Sequence, residues 1–128
     1  MDDCIFCKIA RKEINSNIVY EDEDFMVIMD INPVCDGHLL CIPKKHYKTV
    51  YDLPQNLLVK SYEIAYDMLE KIKKFNGIEG ASFSYNYGAM QEILHVHMHI
   101  MPNFMLKPEK SIEEVYQILM DDNNEKVA

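Results

Sequence analysis

Apolar residues recur along this chain at two different spacings, and each change of spacing marks the boundary of an element. Near the start, Ile5-Phe6-Cys7-Lys8-Ile9-Ala10 suits a short helix. Val19-Tyr20 and Phe25-Met26-Val27-Ile28-Met29 read as two strands joined by an acidic turn, Glu21 to Asp24. Asp30-Ile31-Asn32-Pro33 is a break, because Pro33 lacks a backbone donor and turns Asn32 away from helix. His38-Leu39-Leu40-Cys41-Ile42 forms a third strand, ended by Pro43. Asp52-Leu53-Pro54-Gln55 has capping-box spacing, with Asp52 as N-cap. The helix it opens places Leu58, Tyr62, Ala65, Leu69 and Ile72 on one face, and Asn76-Gly77 closes it. Phe83 and Tyr85 alternate with Ser82, Ser84 and Asn86 in a half-buried strand. A last strand runs from His95 to Met101 and stops at Pro102. Ser111 to Met120 reads as a terminal helix, with Ile112, Val115, Tyr116 and Leu119 on one side.

Strands joined by short turns favour an antiparallel sheet, here of five strands, and one long helix must cover part of it. The expected class is α+β, with short helices towards both ends. At 128 residues and 48% hydrophobic composition, one domain over 1–128 is expected, with a polar tail from Asp121 onward. Nowhere does an apolar run reach the roughly 18 residues that would suggest a transmembrane helix. The opening Met1-Asp2-Asp3-Cys4 is acidic where a secretory signal would be basic, so a cytoplasmic location is expected and a membrane partner is not. The net charge of −8 argues against a nucleic acid partner. Of the basic clusters, Lys44-Lys45-His46 and Lys71 to Lys74, the second reads as a solvated helix face.

The most informative segment is His95-Val96-His97-Met98-His99-Ile100-Met101, which holds three of the five histidines at alternate positions. In a strand these would share one face, about 7 Å apart, while Val96, Met98 and Ile100 fill the other. On this reading the histidine face is not the core face. Three meanings are open: a polar solvent-facing strand, a metal site built from all three imidazoles, or a catalytic face. Cys4-x-x-Cys7 has the spacing of half a zinc site, though it also suits two buried thiols or a redox pair. Cys41 lies on an apolar strand and reads as core; Cys35 suggests no partner.

The alternating histidines resemble the signature of the histidine triad (HIT) family. So do Asp36-Gly37-His38 through His46, Ile5-Phe6-Cys7-Lys8-Ile9, and Met29-Asp30-Ile31-Asn32-Pro33. The resemblance runs from about Cys4 to Pro102 and points to the zinc-containing, bacterial-type branch related to purine nucleoside phosphoramidases. It implies that His97 attacks the α-phosphorus of a nucleotide conjugate, forming a nucleotidyl-histidine that water then hydrolyses. His99 and His38 are implied as donors to the phosphate oxygens, with Gln91 and Asn86 also at the phosphate. Asp30 would take the ribose hydroxyls, although alone it reads as a turn aspartate; Ile31, Phe6 and Ile9 would line the nucleotide. A structural zinc ion on Cys4, Cys7, His46 and His95 is implied, as is a homodimer that extends the sheet. Three features depart from the family pattern. Glu92 stands where a serine or threonine is usual, the loop from Asn86 to Gln91 is short, and Asn103 replaces an arginine. A nucleotide-binding regulatory protein with little catalysis is the alternative these departures suggest.

Overall fold

In the computed structural model of the chain, residues 3–73, 79–102 and 107–121 are described. The elements are α1 (Ile5–Ala10), β1 (Ile18–Glu21), β2 (Phe25–Met29), β3 (Leu39–Pro43), α2 (Gln55–Ile72), β4 (Ala81–Tyr85), β5 (Met98–Pro102) and α3 (Ile112–Met120). The five strands form one antiparallel sheet in the order β1-β2-β3-β5-β4. The α+β expectation holds. Among the described residues no helix is long and apolar enough to cross a membrane.

Side-chain alternation gives the sheet two buried faces. Phe25, Val27 and Met29 of β2, with Leu39, Cys41, Met98 and Ile100, pack under Ile64, Ala65, Met68 and Ile72 of α2 and Val115 and Leu119 of α3. On the other face Met26, Ile28, Leu40 and Ile42 meet Phe6 and Ile9 of α1. The histidine face is therefore a second, smaller core. His95 is wholly buried and His97 is 6% exposed.

The long helix departs from expectation at two points. Its N-cap is Pro54, without a side-chain bond, because the Asp52 carboxylate is already taken. Asp52 accepts from the Thr49 N–H at 3.1 Å, closing a separate 3-10 turn over Val50–Asp52. The buried face is Ser61, Ile64, Ala65, Met68 and Ile72, and Tyr62 is exposed. Ser61 is admitted to the core because its hydroxyl donates to the Leu58 carbonyl at 2.6 Å and accepts from the Tyr85 hydroxyl at 2.7 Å. The terminal helix is as expected, capped reciprocally by Ser111 and Glu114. Asn76-Gly77, Asn103 and the tail beyond Asp121 lie outside the described residues.

The last strand is shorter than expected. It begins at Met98, since its partner β3 ends at Pro43 and the register stops with Cys41 opposite Met98. Upstream, the Val96 N–H donates instead to the Tyr47 carbonyl at 2.7 Å. His95 and His97 thus lie in an extended lead-in outside the sheet, which frees their rings to turn.

Gly37 orients the turn into β3. Its φ is +84°, and an added Cβ would stand 3.0 Å from Cγ of Pro102. Gly37→Ala should lower stability by about 1–2 kcal/mol in a urea melt. An unchanged midpoint would mean that the turn relaxes without cost.

Candidate active site and metal cluster

A cavity of about 420 Å³ opens on the α1 side of the sheet. Its walls are apolar side chains from Ile5, Phe6, Ile9, Ile14, Ile28, Ile31, Leu40 and Ile93, broken by Asn15–Asn17, Asp30, Glu92, His97 and His99. Ile31 is 73% exposed and forms a lip. Residues Ile14 to Asn17 were not anticipated; the only signal was a run of small polar residues just before β1.

The hydrogen bonds decide which nitrogen of each histidine carries its proton. Nδ1 of His97 lies 2.8 Å from the His95 carbonyl oxygen, which can only accept. The proton therefore sits on Nδ1, and Nε2 keeps its lone pair. His38 is reversed: its Nδ1 accepts from the Val34 N–H at 3.2 Å, so Nε2 is protonated. That N–H faces Nδ1 of His99 at 3.0 Å, with an Asp30 oxygen at 3.4 Å beside it. Accepting at Nδ1 leaves His99 with a donor at Nε2. The two rings have centroids 5.2 Å apart, and His97 stands 5.0 Å from His99, closer than the 7 Å of an untwisted strand. Phe6 meets His97 edge-on at 5.2 Å.

His99 and His38 keep their neutral forms at neutral pH. Burial, then the neighbouring His97 and His38, brings His99 down to about 4. Burial lowers His38 too, against the opposing charges of Asp30 and Glu92. A histidine that stays neutral when folded but protonates near 6.5 when unfolded binds more protons in the unfolded state between those values. Its stabilising contribution is present above about pH 6.5 and is lost as the pH falls towards 4. In urea melts from pH 7 to 4, His99→Gln should remove about one proton from the slope of stability against pH. An unchanged slope would show that His99 titrates normally.

Several expected site residues stand elsewhere. His38 is buried, does not line the cavity, and turns its Nε2–H to His99 instead. The Gln91 amide nitrogen donates to the Lys48 and Ile93 carbonyls at 2.9 and 3.1 Å, and its oxygen accepts from Gly88. It holds the loop before the histidines and does not line the cavity. Asn86 follows β4, also away from the lining. Asp30 lies at the lip, where one oxygen accepts from the Asn32 N–H at 2.8 Å.

Behind the cavity, Cys4, Cys7, His46 and His95 bring one ligand atom each within 4.8 Å of the others. Nδ1 of His95 lies 3.2 and 3.6 Å from the two sulfurs, and Nδ1 of His46 lies 3.3 Å from Cys7. A tetrahedral zinc ion with ordinary bond lengths requires sulfur–nitrogen edges of about 3.5 Å, so the donor set fits. Nε2 of His95 donates to the Pro43 carbonyl at 2.7 Å, which leaves Nδ1 as the free ligand atom. Burial and the adjacent Cys4 raise the Cys7 thiol, so binding a cation there must displace a proton. Among the described residues, His95, His97 and His99 do not form one ligand set. The triad divides instead, with His95 turned to the thiols and the other two to the cavity.

The HIT domain profile matches residues 11–106. The uncharacterized HIT-like protein MJ0866 of Methanocaldococcus jannaschii is 42% identical over 103 residues, 79% of either chain. The adenosine 5′-monophosphoramidase HNT1 of Saccharomyces cerevisiae is 36% identical over 110 residues, 84% of this chain and 65% of its own. Among solved structures, a zinc-bound histidine triad family protein from Mycobacterium smegmatis superposes with a TM-score of 0.84 at 27% identity, over 93% of this chain and 91% of that one. A profile match over three quarters of the chain, a relative 42% identical and the divided triad agree: this chain belongs to the histidine triad, or HIT domain, family.

Proposed function

We propose that the chain hydrolyses purine nucleotide conjugates at the α-phosphate through a covalent intermediate on His97. The observation that carries this is the bond from His97 Nδ1–H to the His95 carbonyl, which leaves an unprotonated Nε2 beside a nucleotide-sized cavity. Imidazole nitrogen attacks the α-phosphorus, the bond to the leaving group breaks, and water releases the nucleoside monophosphate in a second displacement. His99 donates from Nε2 to the non-bridging oxygens as charge shifts onto them, and His38 holds its ring in that tautomer. Asp30 accepts from the ribose hydroxyls, and Phe6, Ile9 and Ile31 enclose the base. Gln91 serves the phosphate only through the loop it braces, and Asn86 stands outside the cavity lining. The name of the yeast relative, an adenosine 5′-monophosphoramidase, supports this class of substrate.

Cys4, Cys7, His46 and His95 would hold zinc in a structural role, since four protein ligands leave no open position for water. The two edges of the sheet favour a homodimer built across β4. That strand is an outer edge of the sheet, while the other edge, β1, lies under α3 with the Tyr116 hydroxyl donating to Ile18. All four cysteines are free, which accords with the reducing cytoplasm. The test is release of AMP from adenosine 5′-phosphoramidate by the wild-type chain. A chain that binds AMP but releases none from the conjugate is a nucleotide-binding regulator instead.

A further inference from the structure

We propose that Glu92 makes the cavity selective for conjugates that release an amine, and against those that release an anion such as sulfate or phosphate. The inference rests on the hydrolase reading above and names its substrate class. Its basis is the charge around the cavity. Among the described residues that line it, the charged side chains are two carboxylates, Asp30 and Glu92, with no lysine or arginine. Half-buried His99, neutral well below pH 7, does not offset them.

The space also divides by chemistry. Phe6, Ile9, Ile28 and Ile31, together with Asp30, make one end suited to a nucleoside. Displacement at phosphorus is in line, so the leaving group departs on the side opposite His97. With the nucleoside end taken, the remaining charged wall is Glu92, exposed at the rim.

Cleavage of a P–N bond and of a P–O bond load that wall with opposite charge. In the first, the His97 lone pair forms the new bond to phosphorus while the electron pair of the broken bond stays on the departing nitrogen. The proton reaches that nitrogen from solvent before the P–N bond has broken, so the nitrogen is partly cationic in the transition state and departs as the neutral amine. In the second, the pair stays on oxygen and negative charge grows towards a sulfate or phosphate product. A fixed carboxylate lowers the first barrier and raises the second.

The experiment compares kcat/KM for wild type and Glu92→Gln on three substrates: an N-alkyl adenosine 5′-phosphoramidate, adenosine 5′-phosphosulfate and ADP. One charge at a partly solvated site is worth on the order of tenfold. The variant should therefore lose about tenfold on the phosphoramidate and gain about tenfold on the other two. The shift should shrink at high salt, as a change of shape alone would not. Equal changes on all three substrates would overturn the selectivity while leaving the hydrolase reading intact. Release of AMP from none of them by either protein would overturn both.

Discussion

Alanine at position 97 should reduce release of AMP from adenosine 5′-phosphoramidate by about 10⁴-fold or more. Losses of that order follow removal of a nucleophile from a preorganised site, where the remaining groups still bind substrate and stabilise charge. The size of the effect depends on the bond from His97 Nδ1–H to the His95 carbonyl. It fixes the one tautomer in which a lone pair faces the cavity, and no neighbouring side chain can take over that geometry. His99 is disqualified, since its Nδ1 is engaged by His38 and its Nε2 carries the proton. The ring is also a packing element, 6% exposed and edge-on to Phe6, so the variant should melt a few degrees lower while remaining folded. Two measurements separate chemistry from packing. Nucleotide label should stay on wild-type protein after an alkaline quench and be lost in acid, as a phosphorus–nitrogen bond requires. His97→Gly should regain activity when free imidazole is added. Residual activity within tenfold of wild type, in a folded variant that takes no label, would remove His97 as the nucleophile.

Much of this arrangement was legible in the sequence because it is local. Alternation along residues 95–99 puts histidines opposite Met98 and Ile100, and that relation survives although the strand proper starts only at Met98. What escaped was settled by which partner each group met, near or far in the chain. Ser61 was absent from the expected apolar face, and it is buried because its hydroxyl meets the Leu58 carbonyl and the Tyr85 hydroxyl, the latter 24 residues away. Asp52 looked like a helix cap until Thr49 claimed it. The split of the triad between metal cluster and cavity depends on a lead-in that pairs with Tyr47 rather than with β3. His38 has the residue type of a phosphate donor, yet the Val34 N–H fixes its tautomer and its depth makes it a support for His99. Residue type and spacing identified the participants. Their roles followed from which nitrogen met which partner.

Stripping the metal should damage activity before it unfolds the chain, because one residue serves both sites. His95 turns its Nδ1 to the two cysteines, while its own backbone carbonyl holds the proton of His97. A zinc ion on that ring would fix the position of the carbonyl and hence the aim of the nucleophile. Cys7→Ser should reduce bound zinc from one per chain to a small fraction, and lower the melting temperature by on the order of 10 °C. The loss is large because the cluster ties α1, and with it the Phe6 and Ile9 wall of the cavity, to a lead-in that has no sheet bonds of its own. The same chain treated with a strong chelator and assayed well below its melting temperature should turn over phosphoramidate several-fold more slowly, and recover when zinc is returned. His46→Gln should behave like the chelated wild type, since His46 touches the cluster and does not line the cavity. Metal-free wild type that melts and turns over like the purified protein would show that the four side chains are held by packing alone. Lost stability with full activity would show that the His95 carbonyl keeps its place without an ion.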